Sequence, residues 1–259
     1  MSDTPTLELR GISKSFGSVQ ALTDVDFEVR AGEVMSLVGD NGAGKSTLIK
    51  CIAGIHAIDA GEVFFDGQPV HITGPKEAAR LGIEVVYQDL ALCDNLDVVQ
   101  NMFLGREAHD GLQRLKEPVM EQKTAETLKS LAVTTIRSIR QPVATLSGGQ
   151  RQSVAVARAV MWNSKLVMLD EPTAALGVAQ TEQVLNLVKR LAEQGLAVVL
   201  ISHNLHDIFE AADRITVLRL GRNVGIFDRH TTTQQEVVQA ITAGMPTKVS
   251  GIPAAGVTA

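Results

Sequence analysis

A glycine-rich turn between an apolar run and a helical pattern constrains the fold of this chain more than any other feature. Val34–Val38 is almost continuously apolar, as in a strand buried on both faces of a sheet, and a helical pattern begins at Lys45. The turn between them matches G-x-x-x-x-G-K-[ST], a loop whose backbone N–H groups surround phosphate oxygens. The sequence therefore predicts a strand–loop–helix unit that binds a nucleotide by its phosphates.

Individual residues of this turn have distinct roles. The Lys45 side chain is expected to reach the β- and γ-phosphates, and the Ser46 hydroxyl is expected to bind Mg²⁺. The remaining residues supply backbone donors and the tight turn. The predicted phosphate-binding residues are Gly39, Asp40, Asn41, Gly42, Ala43, Gly44, Lys45, Ser46 and Thr47.

Two adjacent acids end a second apolar strand. Asp170 and Glu171 follow Leu166–Leu169, and ligands of open α/β sheets lie at the carboxyl ends of the strands. Phosphoryl transfer to water needs a metal ion beside the phosphates and a group that orients the attacking water. We therefore predict Asp170 as a metal ligand and Glu171 as the residue that acts on the water. The alternative is a turn or helix-cap acid before Pro172.

Two further polar residues follow predicted strands. Gln88 comes after Glu84–Tyr87 and His203 comes after Ala197–Ile201, so both are expected at the sheet edge that carries Asp170. An amide at this edge can contact Mg²⁺ or water, and an imidazole can reach the γ-phosphate. Taken alone, each is more often an ordinary polar loop residue. The predicted catalytic residues are Lys45, Gln88, Glu171 and His203, and the predicted metal ligands are Ser46, Gln88 and Asp170.

A second glycine-rich loop, Leu-Ser-Gly-Gly-Gln at 146–150, opens another helix and is a second potential anion site. Residues 42–47 already enclose the phosphates of a nucleotide in the same chain. Two chains arranged head to tail across a two-fold axis would each present this second loop to the other's nucleotide. This hypothesis assigns Ser147, Gly148, Gly149 and Gln150 to the partner's nucleotide. The alternative is a flexible Ser-Gly-Gly turn.

The rest of the sequence alternates strands and helices around an inserted helical lobe. Alternating polarity predicts antiparallel strands at Leu7–Arg10 and Val25–Val29, and regular α/β alternation after the lobe indicates a mostly parallel sheet. We predict one α/β domain over residues 1–244, with a mostly parallel sheet core, an antiparallel β layer and a helical lobe at about 89–162. Residues 245–259 are rich in Pro, Gly, Ala, Ser and Thr, and we expect disorder there.

Composition and charge restrict the function classes. The chain has 259 residues, is 45% hydrophobic and 20% charged, and carries a net charge of −5, which gives no electrostatic signature for nucleic acid. No apolar run reaches the roughly 18 residues of a membrane-spanning helix. Residues 1–5 lack the basic start and apolar core of a secretory signal. We expect a cytoplasmic chain that does not bind nucleic acid.

Together the motifs resemble the nucleotide-binding subunit of ATP-binding cassette (ABC) transporters, over about residues 7–244. The matching segments are the phosphate loop at 39–47, the glutamine at 88, the signature at 146–150, the acidic strand at 166–171 and the histidine at 203. The resemblance implies a P-loop NTPase fold of ABC type, ATP and Mg²⁺ as cofactors, and ATP hydrolysis coupled to transport. It also implies that Phe16 stacks on adenine, for which core packing is the alternative.

One segment narrows the resemblance and another departs from it. Residues 86–107 are similar to the ATPases of bacterial monosaccharide importers of the ribose, xylose and fructose type. Where the family usually has Ser-Ala-Leu-Asp, residues 174–177 read Ala-Ala-Leu-Gly, without the carboxylate that helps link two sites across a dimer. Gly177 therefore puts tight coupling between the sites in question.

The resemblance implies an ATPase subunit that drives sugar uptake from the inner face of the cell membrane. Its implied partners are a second, identical ABC subunit, a transmembrane permease and, indirectly, an external sugar-binding protein. Two alternatives remain at this point. One is a soluble ABC-type ATPase that acts on nucleic acid or ribosomes, and the other is a nucleotide-dependent scaffold that does not hydrolyse ATP.

Overall fold

Two β-sheets form the framework of the fold. The computed structural model describes residues 4–111 and 114–244. The strands are β1 (Leu7–Phe16), β2 (Val19–Val29), β3 (Val34–Val38), β4 (Ala60–Phe65), β5 (Gln68–Val70), β6 (Ile83–Val86), β7 (Leu166–Asp170), β8 (Ala197–Ile201), β9 (Arg214–Arg219) and β10 (Arg222–Asp228). The larger sheet has the order β10-β9-β3-β8-β7-β6, and the smaller one has the order β2-β1-β4-β5.

The larger sheet confirms the mostly parallel core. Its five strands from β9 to β6 run parallel, and β10 is antiparallel at one edge. Every residue of β3 and β8 is buried, as expected for continuous apolar runs covered on both faces. The register pairs Leu37 with Ile201, and Leu169 with both Leu200 and Val86. The carboxyl ends of four neighbouring strands therefore meet at one edge of the sheet.

The smaller sheet confirms the antiparallel layer but extends beyond the predicted strands. The strand predicted at 7–10 continues to Phe16, and the strand predicted from Val25 begins at Val19. Register shifts interrupt the β1–β2 pairing, and Gly11 within β1 has a φ of 61°. Such irregularities break the apolar–polar alternation that marks a strand in a sequence. The unpredicted β5 is a short edge strand, where its Pro69 is tolerated.

Local signals mark the first turns of the helices, and the first helix begins at Lys45 as predicted. In α3 (Val98–Phe103) the Asp97 side chain accepts from the Gln100 N–H while the Gln100 side chain accepts from the Asp97 N–H, and Thr233 and Glu236 form the same reciprocal pair at α8 (Gln234–Ala243). The helices are α1 (Lys45–Ile52), α2 (Pro75–Leu81), α3 (Val98–Phe103), α4 (Glu117–Ser130), α5 (Gly148–Val160), α6 (Val178–Glu193), α7 (Leu205–Ala211) and α8 (Gln234–Ala243).

Helices α3, α4 and α5 lie between β6 and β7 in the sequence, where the helical lobe is predicted. Their apolar faces belong to the core that covers the larger sheet: Met102, Leu128 and Val154 share one buried cluster with Val167 of β7. Within 4–111 and 114–244, no helix combines the length and the hydropathy needed to cross a membrane. The segment predicted to be disordered, 245–259, lies outside the described residues.

Candidate nucleotide-binding and catalytic site

The phosphate loop between β3 and α1 follows a path that requires glycine at two points. Gly39 has a φ of 151°, and a Cβ added there would lie 2.2 Å from the carbonyl oxygen of Leu218. Gly44 has a φ of 103°, and its Cβ would lie 2.9 Å from the carbonyl oxygen of Ala21. Positive φ and close backbone contacts both select glycine. The loop therefore leads its backbone around an open volume at the start of α1, where helical N–H groups lack intrahelical partners.

This volume is a cavity of about 280 Å³ that brings the phosphate loop together with the two predicted acids. Its lining residues are Val19, Gln20, Ala21, Asn41, Gly42, Ala43, Gly44, Lys45, Ser46, Thr47, Asp170, Glu171 and Ile201. The structure thus places residues 41–47 of the predicted loop around one space with Asp170 and Glu171, while Gly39, Asp40, Gln88 and His203 are outside its lining.

Lys45 holds its ammonium group against the loop itself. Its Nζ donates to the carbonyl oxygens of Gly39 at 2.6 Å and Asp40 at 3.0 Å. Burial lowers the pKa of Lys45, while the nearby carboxylates, Glu171 first among them, oppose this shift. The positive charge is therefore held at the loop by neutral acceptors, which phosphate oxygens can replace.

Asp170 and Glu171 occupy different environments at the end of β7. Burial, and then the neighbouring Glu171, raise the pKa of Asp170, while Lys45 and Lys50 oppose the shift. Glu171 has a φ of 49°, which is uncommon for a residue other than glycine. Its N–H donates to the carbonyl oxygen of Ile201 at 2.9 Å, so β8 holds this turn in place. The two carboxylates therefore lie at the same edge of the larger sheet but in different environments.

His203 contacts Glu171 directly. The His203 Nδ1 lies 3.1 Å from the Glu171 Oε1, a close contact that becomes an ion pair when the imidazole is protonated. The His203 side chain is 70% exposed and that of Glu171 is 26% exposed, so the pair faces open space. This contact leaves the His203 Nε2 for another partner. The structure therefore brings these two predicted catalytic residues together.

The side chain of Asp207 accepts two hydrogen bonds that were not predicted from the sequence. The Thr173 hydroxyl donates to the Asp207 Oδ2 at 2.6 Å, and the Asn204 side-chain amide donates to the Asp207 Oδ1 at 3.0 Å. Asp207 is buried at 2% exposure. The loop after Glu171 and the loop after His203 are therefore joined through one buried carboxylate. A lone Asp in the first turn of α7 gave no signal strong enough to reveal this role.

Gln88 lies two residues beyond β6, the strand beside β7. The register pairs Val86 with Leu169, so the residues after each strand run side by side toward the cavity edge. The Gln88 side chain is exposed and does not line the cavity. Tyr87, which the sequence did not single out, feels the charge of one of the acids: burial and then Asp170 raise its pKa. The predicted role of Gln88 remains a prediction.

Phe16 ends β1 beside the hairpin turn that leads to Val19, a cavity residue. It is 44% exposed, which leaves aromatic surface free of the core. The His56 ring meets it edge-on, with ring centroids 5.0 Å apart, and the Lys14 Nζ lies 5.5 Å from its centroid. Phe16 is thus paired with a cavity residue, Val19, without lining the cavity itself, and its stacking on adenine remains a prediction.

The second glycine-rich loop lies apart from the cavity, and none of residues 147–150 lines it. Ser147 caps α5, and its N–H donates to the Gln150 Oε1 at 2.8 Å. The Gln150 Nε2 donates to the carbonyl oxygen of Thr135 at 2.6 Å, so this side chain is committed within its own chain. A Cβ added to Gly148 would lie 2.9 Å from the Leu176 Cδ2, so this loop packs closely on the segment before α6.

Gly177 is the N-cap residue of α6 and supplies no side chain to that helix. Its N–H donates to the Gln180 Oε1 at 3.1 Å. Asp is among the best N-cap residues, so the family's usual Asp would suit this position, yet the helix forms without it. The absence of the carboxylate therefore changes the surface of this turn but does not prevent α6 from forming.

The family model described as ABC transporter matches residues 22–174, a range that includes the phosphate loop, the second glycine-rich loop and the two acids. The chain belongs to this family. This ABC cassette is 45% identical to the fructose import ATP-binding protein FrcA of Rhizobium meliloti, over 93% of the chain and 95% of the relative. It is also 45% identical to the xylose/arabinose import ATP-binding protein XylG of Sulfolobus acidocaldarius, over 94% of the chain and 95% of the relative.

A solved structure supports the same assignment. The cassette is similar to the ATP-binding cassette MJ0796 in its dimeric post-hydrolysis state with ADP and Pi, with a TM-score of 0.70 and 27% identity. The similarity covers 86% of this chain and 98% of that chain. The predicted family resemblance and fold class are therefore confirmed.

Proposed function

We propose that this ABC cassette hydrolyses ATP to ADP and phosphate, and that hydrolysis drives the uptake of a sugar through a separate membrane permease. The observation that carries the proposal is the cavity in which the phosphate loop meets Asp170 and Glu171, with the His203 Nδ1 3.1 Å from the Glu171 Oε1. The names of the two relatives support a monosaccharide as the transported class.

ATP binding in this proposal replaces contacts that the protein already makes with itself. The Lys45 Nζ exchanges the carbonyl oxygens of Gly39 and Asp40 for phosphate oxygens, with which a charge-assisted bond is stronger. The N–H groups at the start of α1 bind the same phosphates. Phe16, which pairs with the cavity residue Val19, offers its exposed ring to adenine.

The residues at the cavity fit Mg²⁺. The Ser46 hydroxyl and the Asp170 carboxylate line it, and the Gln88 amide follows the next strand, so the donors are the oxygens that Mg²⁺ prefers. Across the described ranges, no group of three or more His, Cys, Asp or Glu side chains forms a metal cage by itself. Mg²⁺ commonly takes one or two protein ligands together with phosphates and water, and it neutralises charge on the transferring phosphoryl group.

Glu171 orients the attacking water and accepts its proton in this proposal. Its Oε1 lies 3.1 Å from the His203 Nδ1, and this contact holds the carboxylate at the edge of the cavity. The His203 Nε2 then contacts the γ-phosphate. The link from Thr173 to Asp207 fixes the spacing of the two loops that carry these residues.

The second glycine-rich loop is proposed to act on the nucleotide of a second copy of the chain. Ser147 sits at a helix N-terminus, is exposed, and is absent from its own chain's cavity. The dimeric state of the similar cassette supports a two-chain arrangement. Two composite sites would then form in one isologous dimer, in which ATP closes the interface and hydrolysis reopens it.

The permease and the location follow from the same proposal. The helical lobe transmits closure to a permease, and the cassette is held by that partner at the cytoplasmic face of the membrane. The sugar contacts the permease and an external binding protein rather than this chain. The nucleic-acid alternative has no supporting observation in the charge of the chain or in the two relatives.

Glu171→Gln tests the hydrolytic part of the proposal. We expect Mg²⁺-dependent ATPase activity of the purified protein to fall by about 10²–10⁴-fold, the range for loss of a general base, while ATP binding persists. Equal and negligible hydrolysis by the wild type and the variant would instead support a scaffold without turnover.

A membrane experiment tests the transport part. Affinity purification from membranes should recover a polytopic permease, and sugar-loaded binding protein should stimulate ATPase activity in proteoliposomes that contain it. Stimulation by nucleic acid, with no permease recovered, would reject sugar import and favour the alternative.

A further inference from the structure

The loop after Gln88 is held by a guanidinium group to which the proposed chemistry assigns no role. Arg158 of α5 donates from its Nη2 to the carbonyl oxygen of Leu90 at 2.8 Å and from its Nη1 to that of Ala91 at 2.9 Å. Burial is the largest influence on the pKa of Arg158 and lowers it. The Arg158 side chain is half-buried, and a charged group in such a position usually has a specific role for its donors.

Arg158 bonds to a point where the backbone takes an unusual conformation. Ala91 has a φ of 47°, in the left-handed region that residues other than glycine seldom adopt. Its N–H is bonded locally to the Asp89 Oδ1 at 3.2 Å. The two carbonyls of Leu90 and Ala91 are turned toward one guanidinium group, whose planar fork suits a pair of acceptors. The conformation of this loop is thus stabilised from α5.

A second anchor lies just beyond the first. Asn101 of α3 is fully buried, its Oδ1 accepts from the Cys93 N–H at 2.7 Å, and its Nδ2 donates to the Cys93 carbonyl oxygen at 3.0 Å. The chain after β6 is therefore attached to the lobe at residues 90–91 and again at 93. Gln88 and Asp89 are the exposed residues between the sheet and these anchors.

The acid with the largest electrostatic effect on Arg158 is itself paired with another arginine. Glu84 is the acid that most opposes the lowered pKa of Arg158, yet its carboxylate is paired with Arg106 at 3.0 Å. Arg106 in turn lies over the Trp162 ring, 5.4 Å from its centroid. The guanidinium of Arg158 is thus bonded to backbone carbonyls, and losing it would leave those acceptors without their partner.

The same helix carries Ser147 at its first turn. From Ser147 to Arg158 the rise along α5 is about 16 Å, at 1.5 Å per residue, within one continuous helix. We propose that Arg158 is a positioning residue that ties Gln88 to α5. When Ser147 at the start of α5 contacts the partner's nucleotide, Gln88 is thereby positioned beside the metal. This inference rests on the proposed function, because it requires Gln88 to act in hydrolysis.

A double-mutant cycle with Gln88 tests the inference. We expect Arg158→Met to lower kcat by about 10-fold, the lower end of the effect of outer-shell substitutions at metal sites, and Gln88→Ala, which removes a proposed ligand, to lower it by at least as much. The double variant should fall little below Gln88→Ala alone, because residues that act through one another are not additive. ATP affinity measured without Mg²⁺ depends on Lys45 and the phosphate loop. It should stay within about twofold of the wild type, because neither substitution removes a contact with Lys45.

Arg190 of α6 offers a matched control. Its Nη1 donates to the carbonyl oxygens of Leu131 at 3.1 Å and Ala132 at 3.4 Å, and Ala132 has a φ of 50°. Arg190→Met therefore removes the same kind of contact with the same kind of alanine, at a turn that does not lead to Gln88. It should lower the melting temperature while kcat is unchanged.

The outcomes separate the inference from the proposed function. Wild-type protein without ATPase activity rejects the proposed function itself. Active wild type with fully additive effects of Arg158→Met and Gln88→Ala, or with kcat of Arg158→Met unchanged, overturns the inference alone. If Arg158→Met does not fold, the cycle is run with Arg158→Lys, which cannot reproduce the planar fork and should lower kcat by about threefold, less than the outer-shell range.

Discussion

At the residue scale, Asp170 and Glu171 show how position decides the properties of two neighbouring acids. Asp170 ends β7 with a raised pKa, caused by burial and then by the charge of Glu171. Glu171 instead turns toward His203, whose Nδ1 lies 3.1 Å from its Oε1. In the free protein an ionised Asp170 is therefore unfavourable, and a bound cation would relieve it. Functional sites often retain such groups at a cost in stability.

Asp170→Asn should therefore stabilise the nucleotide-free protein and abolish Mg²⁺-dependent hydrolysis. Relief of about 1 kcal/mol would raise Tm at pH 8 by about 2–4 °C for a protein of this size. The folded state binds the Asp170 proton more tightly than the unfolded chain does. As the pH falls through the raised pKa, the stability of the wild type therefore increases relative to that of Asp170→Asn. The Tm difference should shrink in that direction. A lower Tm for Asp170→Asn at pH 8 would contradict this account.

At the element scale, the first turn of α5 has a structural role and a proposed functional one. Ser147 caps the helix, and the Gln150 side chain completes the reciprocal pair while also reaching Thr135. Gly148 and Gly149 allow this turn to pack on Leu176 and Gln180. The loop is therefore a rigid helix start, which makes it suitable for presenting a hydroxyl and backbone N–H groups to a phosphate.

Two substitutions of Ser147 should separate these roles. Ser147→Ala removes the cap and should cost about 0.5–2 kcal/mol of stability, whereas Ser147→Asp keeps a good cap. Both should abolish ATPase activity, the second because a carboxylate repels the γ-phosphate of the partner's nucleotide. Thermal unfolding and steady-state hydrolysis measure the two effects. Full activity of Ser147→Asp would place this loop away from every nucleotide.

At the scale of the whole molecule, the proposed dimer makes each site from two chains. Lys45 belongs to one end of the composite site and Ser147 of the other chain to its opposite end. A mixture of Lys45→Ala and Ser147→Ala chains therefore contains mixed dimers in which one site has both changes and the other has neither. Equal random mixing should restore about a quarter of wild-type activity if the two sites act independently.

The control for this mixture is the double variant, Lys45→Ala with Ser147→Ala in one chain, mixed with inactive Lys45→Ala. Every site then lacks Lys45, and no activity should return. No recovery in the first mixture, together with no ATP-dependent doubling of mass, would show that the site is complete within one chain. A doubled mass without recovered hydrolysis would mean that the two sites depend on one another despite Gly177.

Much of the candidate site was predictable because its parts are short and local. The phosphate loop depends on glycines and on one strand and helix beside it, and the acids follow directly from the apolar run that precedes them. The hairpin of β1 and β2 was predicted only in part, because bulges such as that at Gly11 hide the alternation that local patterns rely on. β5 was too short to leave a pattern.

The sequence by itself determined the strand–loop–helix unit and the residue types of the site, since each depends on neighbours within a few positions, and the short motifs taken together determined the family. Only the tertiary structure decided that Thr173 meets Asp207, 34 residues away, and that Arg158 meets the carbonyl of Leu90, 68 residues away. It also decided that β3 lies between β9 and β8. The physical reason is that such contacts join elements that are far apart in the chain, whose pairing is selected by burial of the whole core rather than by any local pattern.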